Sequence, residues 1–141
     1  MNTNGIFSRK TDDWKTPTYI YDQVIEKHYF DPCPFHADFD GLNIEWSSNN
    51  FVNPPYSQMK QWIKKAIEEH RKQKNVIMLL PARTDTQWFN MLAQYGCICS
   101  FIIGRLKYND FGTAPFPSML VIITGGGIFN GNIIRREDIK L

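Results

Sequence analysis

Five consecutive apolar residues, Val76-Ile77-Met78-Leu79-Leu80, stand between the polar Asn75 and Pro81. The run is too short for a helix of ordinary length, and it lacks the alternation of a strand with one wet face. It suits a strand buried on both sides, which calls for helices above and below a largely parallel sheet. The neighbouring segments supply the helices. Before it, Met59, Trp62, Ile63, Ala66 and Ile67 recur at helical spacing, with Lys60, Lys64, Lys65 and Arg71 on the other side and Ser57 where a cap is expected. After it, Thr84 or Asp85 stands ready to cap a second helix whose buried spacing is Trp88, Phe89, Leu92 and Ala93 and whose end falls near Tyr95-Gly96.

Phe51-Val52 reads as a short buried strand ahead of the first of these helices, and Cys97 to Ile103 as a strand after the second. Strand, helix, strand, helix, strand is the pattern of a parallel α/β sheet with right-handed crossovers. Gly104 to Asp110 reads as a turn and short extension, and Met119 to Thr124 as the last strand. No helix separates that strand from its predecessor, so it is expected to run antiparallel. Upstream, Thr11 to Lys27 opens polar. A helix is then expected from near Thr16, with Tyr19, Ile20, Tyr21, Val24, Ile25 and His28 at helical spacing. Tyr29-Phe30 leads into Asp31-Pro32-Cys33-Pro34, where the prolines favour a turn after a short strand. Residues 35–50 show no regular pattern.

The 141 residues suit one domain, 1–141, with no separate recognition domain. With 43% hydrophobic and 21% charged residues, the composition is that of a soluble globular chain. No apolar run approaches the ~20 residues that cross a bilayer, and Met1 to Gly5 has no leader pattern, so the expectation is a cytoplasmic protein with no membrane partner. Cys33, Cys97 and Cys99 form no Cys-x-x-Cys pair, and the three histidines lack zinc-ligand spacing, so neither a disulfide framework nor a metal is expected. A net charge of +2 leaves the partner undecided.

The chemistry is concentrated in Asn53-Pro54-Pro55-Tyr56, which follows the Phe51-Val52 strand and so falls where ligands bind in open α/β sheets. An amine conjugated to a ring is a poor nucleophile because its lone pair is delocalised. The Asn53 amide oxygen and the Pro54 carbonyl provide two acceptors for the amine hydrogens, which favours pyramidal nitrogen as a methyl group arrives. Two prolines fix φ and stiffen the loop before substrate binds. Tyr56 offers an aromatic face on which a flipped base can stack, worth roughly 1–3 kcal/mol. No Pro-Cys nucleophile stands near this clamp, which disfavours methylation at C5 of cytosine.

Residues 51–57 resemble the Asn-Pro-Pro-Tyr segment of amino-methyltransferases. Further segments resemble the small phage-type DNA N6-adenine methyltransferases (Dam-like): Trp14 to Pro17, Asp31-Pro32-Cys33, Asp40-Gly41-Leu42 with Trp46, Leu80 to Thr86 with Trp88-Phe89, Gly104-Arg105-Leu106, and Ala114 to Ser118. They run in the family's order from about Trp14 to about Val121. The resemblance implies a reduced, Rossmann-like methyltransferase fold, S-adenosylmethionine as cosubstrate, and adenine N6 in double-stranded DNA as acceptor. It also implies a setting in a bacterial host cell, phage- or prophage-encoded. Thr16-Pro17 is similar to the segment near the methionine end of the cosubstrate. Asp31-Pro32 is similar to the start of the cofactor loop, with Cys33 next in it, although no glycines follow here. Asp40 is the candidate for the ribose hydroxyls, with Asp38 as its rival.

Bland readings stand beside these. Asp31 can simply brace the proline turn. Arg83 and Arg105 each follow a strand and suit either phosphate contact or solvent. Trp62, Trp88 and Phe89 are expected to be packing. Gly125-Gly126-Gly127 reads as a flexible turn, since no helix pattern follows to cradle a phosphate. Two other functions remain open: transfer to another amine, in RNA guanine or protein glutamine, and a silent module that binds DNA or protein.

Overall fold

The structure is a computed structural model and describes residues 14–108 and 112–141. Strands β1 (Asn49–Val52), β2 (Asn75–Pro81), β3 (Cys97–Ile102), β4 (Ser118–Ile123) and β5 (Phe129–Ile134) form one sheet in the order β1-β2-β4-β3-β5. β1 pairs parallel with β2, and β3 with β5, while β4 lies antiparallel between β2 and β3. The sheet is therefore mostly parallel, and the strand expected at Met119 to Thr124 is the one that opposes the rest. That strand is not the last, however, because β5 follows it. Beyond β1, Phe30 forms a parallel bridge with Asn50.

The described helices are α1 (Thr18–Glu26), α2 (Met59–Arg71) and α3 (Gln87–Tyr95). Both faces of β2 are covered, as its unbroken apolar run requires. Val76, Met78 and Leu80 pack with Trp62, Ile63, Ala66 and Ile67 of α2 and Leu92 of α3. Ile77 and Leu79 pack with Ile20 and Val24 of α1 and with Tyr108 and Phe116. Each such side chain contributes roughly 1.5–3 kcal/mol by leaving water.

Several local expectations are corrected. α1 starts after Pro17, whose carbonyl accepts from the Ile20 and Tyr21 N–H groups. Its buried stripe is only Ile20 and Val24, since Tyr19 and Ile25 are exposed. Ser57 does not cap α2; a 3₁₀ turn, Tyr56–Gln58, leads into it. The cap of α3 is Thr86, whose hydroxyl oxygen accepts from the Phe89 N–H at 3.2 Å, and neither Thr84 nor Asp85. On that helix only Leu92 is fully buried, with Trp88, Phe89 and Ala93 half-buried. Gly125, Gly126 and Gly127 adopt φ of 74°, 75° and 74°, a left-handed run that side chains would strain. The Gly127 N–H donates to the Tyr95 carbonyl at 2.9 Å, so this is a pinned turn that carries the chain past the start of β3 into β5. Of the sequence expectations, those on Met1 to Gly5, Thr11 to Asp13 and Asn109 to Asp110 fall outside the described residues.

One buried charge anchors the segments that lead into β1 and β2. The Glu69 side chain on α2 has no exposed surface, and its carboxylate accepts from the Trp46 N–H at 2.8 Å, Lys74 at 2.7 Å, Lys72 at 3.1 Å and Lys65 at 3.4 Å. Lys74 also donates to the Trp46 carbonyl at 2.8 Å, and the Trp46 indole N–H donates to the Gly41 carbonyl at 2.8 Å. Burial alone raises the carboxyl pKa, but the hydrogen bonds from Lys74, Trp46 and Lys72 and the charge of Lys65 outweigh it and hold Glu69 down to about 2. A depressed folded-state value means that the stabilisation is complete above the ordinary value of 4.5 and is lost as pH falls toward 2. Glu69 should thus contribute roughly 3 kcal/mol at neutral pH. Urea titrations across this window should show a steep acid loss in the wild-type chain. Glu69→Gln should be less stable at pH 7 and should lose much of that slope; equal stability at pH 7 would contradict the assignment.

Candidate active site

β1 and the Phe30 bridge run in the same direction, so Asn53 and Asp31 leave the sheet at the same, carboxyl end. Between them opens a cavity of about 910 Å³. Of the residues singled out from the sequence, Thr16, Asp31, Cys33, Asp40, Asn53 and Pro55 line it. Pro17, Pro54 and Tyr56 do not belong to its wall, nor do Arg83, Arg105 and Asp38. The volume falls in the range of about 300–1,000 Å³ usual for small-molecule sites.

Asn53 is held in a single orientation. Its amide nitrogen donates to the Trp14 carbonyl at 2.5 Å and to the Thr16 hydroxyl at 3.1 Å. A carbonyl can only accept, so this pair fixes which terminal atom is nitrogen. The amide oxygen is buried and has no partner among the described residues. An acceptor left in that state costs roughly 1–3 kcal/mol, and a ligand N–H recovers it. The same bonds tie the segment before α1 to the end of β1, which explains why Thr16, far away in sequence, shares the cavity.

Asp31 is partly buried. Its carboxylate accepts from the Tyr21 hydroxyl and from the Cys33 N–H, each at 2.9 Å. Burial pushes its pKa above the ordinary carboxylate value despite these two bonds. Burial, then the charge of Asp31 and the bond to it, push the Tyr21 phenol up to about 12, so Tyr21 remains a donor. Asp31 thus braces the proline turn and also lines the cavity. Asp40 caps a 3₁₀ turn, Gly41–Asn43, accepting from the Leu42 N–H at 3.0 Å and from the Asn43 amide at 2.6 Å. Both Asp40 and Asp38 are exposed, and of the two only Asp40 lines the cavity.

Tyr56 is half-buried, and its ring meets Phe116 edge-on at 5.1 Å. Arg83 and Arg105 are exposed just past the carboxyl ends of β2 and β3, on the same side of the sheet as Asn53. With Asp22, Asp31 and Asp40 against Lys15, the formal charges of the cavity wall sum to an acidic surface that favours a cation.

Tyr21, Trp62 and Gly41 have places in this wall that the sequence pattern does not announce. In the sequence Tyr21 shows only helix spacing. Trp62 stands at core spacing, yet it lines the cavity, and its indole N–H is buried with no partner among the described residues. Gly41 leaves no room for a side chain: a Cβ there would lie 1.9 Å from the Pro32 carbonyl oxygen and 2.8 Å from the Trp62 ring. The usable signal was Asp40-Gly41-Leu42, where a glycine follows an acid inside an otherwise irregular stretch. No helix among the described residues is long and apolar enough to cross a membrane, and no metal-ligating cluster occurs among them.

Known proteins share this sequence pattern. The family described as DNA N-6-adenine-methyltransferase (Dam) matches residues 4–122. A protein of Escherichia phage T1 named DNA N-6-adenine-methyltransferase is 43% identical over 74 residues, which is 51% of this chain and 29% of the phage protein. The matched part is thus under a third of that protein's length. A solved structure titled as a predicted O-methyltransferase from Agrobacterium tumefaciens overlaps 67% of this chain and 44% of its own. At 16% identity and a TM-score of 0.41 that likeness is too loose to argue from.

The packing around Gly41 makes a direct prediction. Gly41→Ala should force the Pro32 to Gly41 loop away from Trp62 and lower stability by about 1–3 kcal/mol, the usual cost of overpacking. A urea midpoint equal to that of the wild type would contradict it.

Proposed function

The chain belongs to the DNA N-6-adenine-methyltransferase (Dam) family, and from that premise we propose that it transfers a methyl group from S-adenosylmethionine to N6 of an adenine flipped out of double-stranded DNA. One observation carries the reading: the Asn53 amide is fixed by its nitrogen and keeps a buried, unpartnered oxygen at the end of β1.

S-adenosylmethionine, when bound, supplies an electrophilic methyl group on a sulfonium that leaves as a neutral thioether. The cavity fits such a molecule by size and by its acidic wall. Asp31 and Asp40 would face its cationic and hydroxyl groups, and the partnerless indole N–H of Trp62 would give it a donor. Thr16 and Cys33 complete the same wall, with Pro17 fixing the start of α1 behind Thr16.

The Asn53 amide oxygen and the Pro54 carbonyl accept hydrogen bonds from the two N–H groups of the amine, which turns the nitrogen lone pair out of conjugation and toward the methyl group. The N–C bond forms as the C–S bond breaks, its electron pair staying on sulfur, and the methylated nitrogen then releases one proton to water. Pro54 and Pro55 keep the two acceptors at a fixed spacing, so little orientation entropy is lost on binding. Tyr56, next on the loop, is the stacking surface for the base. Arg83 and Arg105, exposed at the same end of the sheet, are positioned for phosphate.

Asn53→Ala should lower kcat by about 10²–10³, the usual loss for one preorganised hydrogen-bonding group. S-adenosylmethionine binding should survive when followed by calorimetry. Turnover near that of the wild type would overturn the assigned role.

A further inference from the structure

β5 forms one edge of the sheet, and no described strand pairs with its outer side. The opposite edge is different, because Phe30 bridges onto β1 there. An open edge presents unpaired N–H and C=O groups, and monomeric proteins usually blunt it with charge, proline or a bulge. Residues 128–134, Ile-Phe-Asn-Gly-Asn-Ile-Ile, hold no charged residue and no proline. Their register against β3 is unbroken from Phe129 to Ile134, so there is no bulge either. Ile128 and Ile133 are 65% and 71% exposed.

The ladder shows which backbone groups are free. The Cys97 N–H donates to the Ile128 carbonyl and the Ile103 N–H to the Ile134 carbonyl, so the even-numbered residues of this strand face β3. Both polar backbone groups of a strand residue point to the same side, and the side alternates along the chain. Phe129, Gly131 and Ile133 therefore aim their N–H and C=O groups outward. These three positions are symmetric about Gly131, and so are the side chains around them. Phe129 mirrors Ile133, Asn130 mirrors Asn132, and Ile128 mirrors Ile134.

We propose that this edge is a dimer interface, in which a second copy of the chain pairs antiparallel with β5 about a two-fold axis through Gly131. In that register Gly131 meets Gly131, and Phe129 meets the partner's Ile133, each as a pair that exchanges two backbone hydrogen bonds. The exposed Ile133 is then covered by a phenyl ring of the other copy. Asn130 and Asn132 oppose each other in the closer, non-hydrogen-bonded pairs, about 4.5 Å apart between Cα atoms, where their side-chain amides can bond across the axis. An isologous contact of this kind closes on itself, so it ends at two copies and does not grow into a fibre. A different protein strand would satisfy the backbone equally, but only a second β5 reproduces the mirrored apolar and amide positions. The inference is independent of the methyl-transfer reading.

Sedimentation velocity of the full chain tests it. Asn130 and Asn132 are both exposed, so charge there leaves the fold of one copy intact, which circular dichroism checks. The wild-type chain should sediment as a concentration-dependent dimer. Asn130→Lys with Asn132→Lys sets like charges opposite each other twice across the axis, and the dimer should be lost. Asn130→Asp with Asn132→Lys sets opposite charges together in the same register, and the dimer should be retained. A monomeric wild-type chain, a double-lysine variant that still dimerises, or an aspartate–lysine variant that fails to dimerise would each overturn the proposal.

Discussion

The Glu69 carboxylate ties together the segments that enter β1 and β2 at the amino end of the sheet, and through Trp46 its hold extends to the cavity wall. It lies on the inner side of α2 with no exposed surface, and it is tolerated there because three lysines and a backbone N–H surround it. Through the Trp46 backbone it holds the strand-less stretch that precedes β1. Trp46 in turn stacks near Trp62 at 6.2 Å and donates to the Gly41 carbonyl. Gly41 is thereby pressed against the Pro32 carbonyl and the Trp62 ring, which fixes the far wall of the cavity. Buried charges of this kind are sensitive to loss of one partner, because the remaining charges are left without compensation.

The near wall depends on a second polar anchor of a different kind. The Asn53 amide nitrogen binds Trp14 and Thr16, and its oxygen is buried with no partner among the described residues. One side chain thus both draws the segment before α1 to the end of β1 and offers the acceptor on which the proposed transfer rests. Tether and acceptor thus sit on different atoms of one amide, whereas the bonds of Asp31 with Tyr21 and Cys33 use the same carboxylate that lines the cavity.

Much of this was legible in the sequence where burial is two-sided and periodic. β2 could be read because every residue from Val76 to Leu80 is buried, and α2 because its five apolar positions share one face. The Asn53 and Asp31 loops could be located because prolines end the strands before them. β5 could not be read: Asn-Gly-Asn has the composition of a turn, and most of the strand is exposed, so burial writes no pattern into it. The cap of α3 was ambiguous because Thr84, Asp85 and Thr86 are all cap-type residues and only backbone geometry selects among them. Glu69 was invisible among the lysines of α2, which read as a solvated face until the fold turned one carboxylate inward. Trp62 sits at core spacing and is indeed buried; its missing hydrogen-bond partner shows only in three dimensions.

The atom that receives the methyl group separates the proposed reaction from its rivals. The most direct measurement incubates the chain with duplex DNA and S-adenosylmethionine carrying an isotopically labelled methyl group, then digests the DNA and resolves its nucleosides by mass spectrometry. Label should enter N6-methyldeoxyadenosine and no other nucleoside. Label on cytosine, or label that enters RNA or protein while DNA stays unmodified, would contradict it.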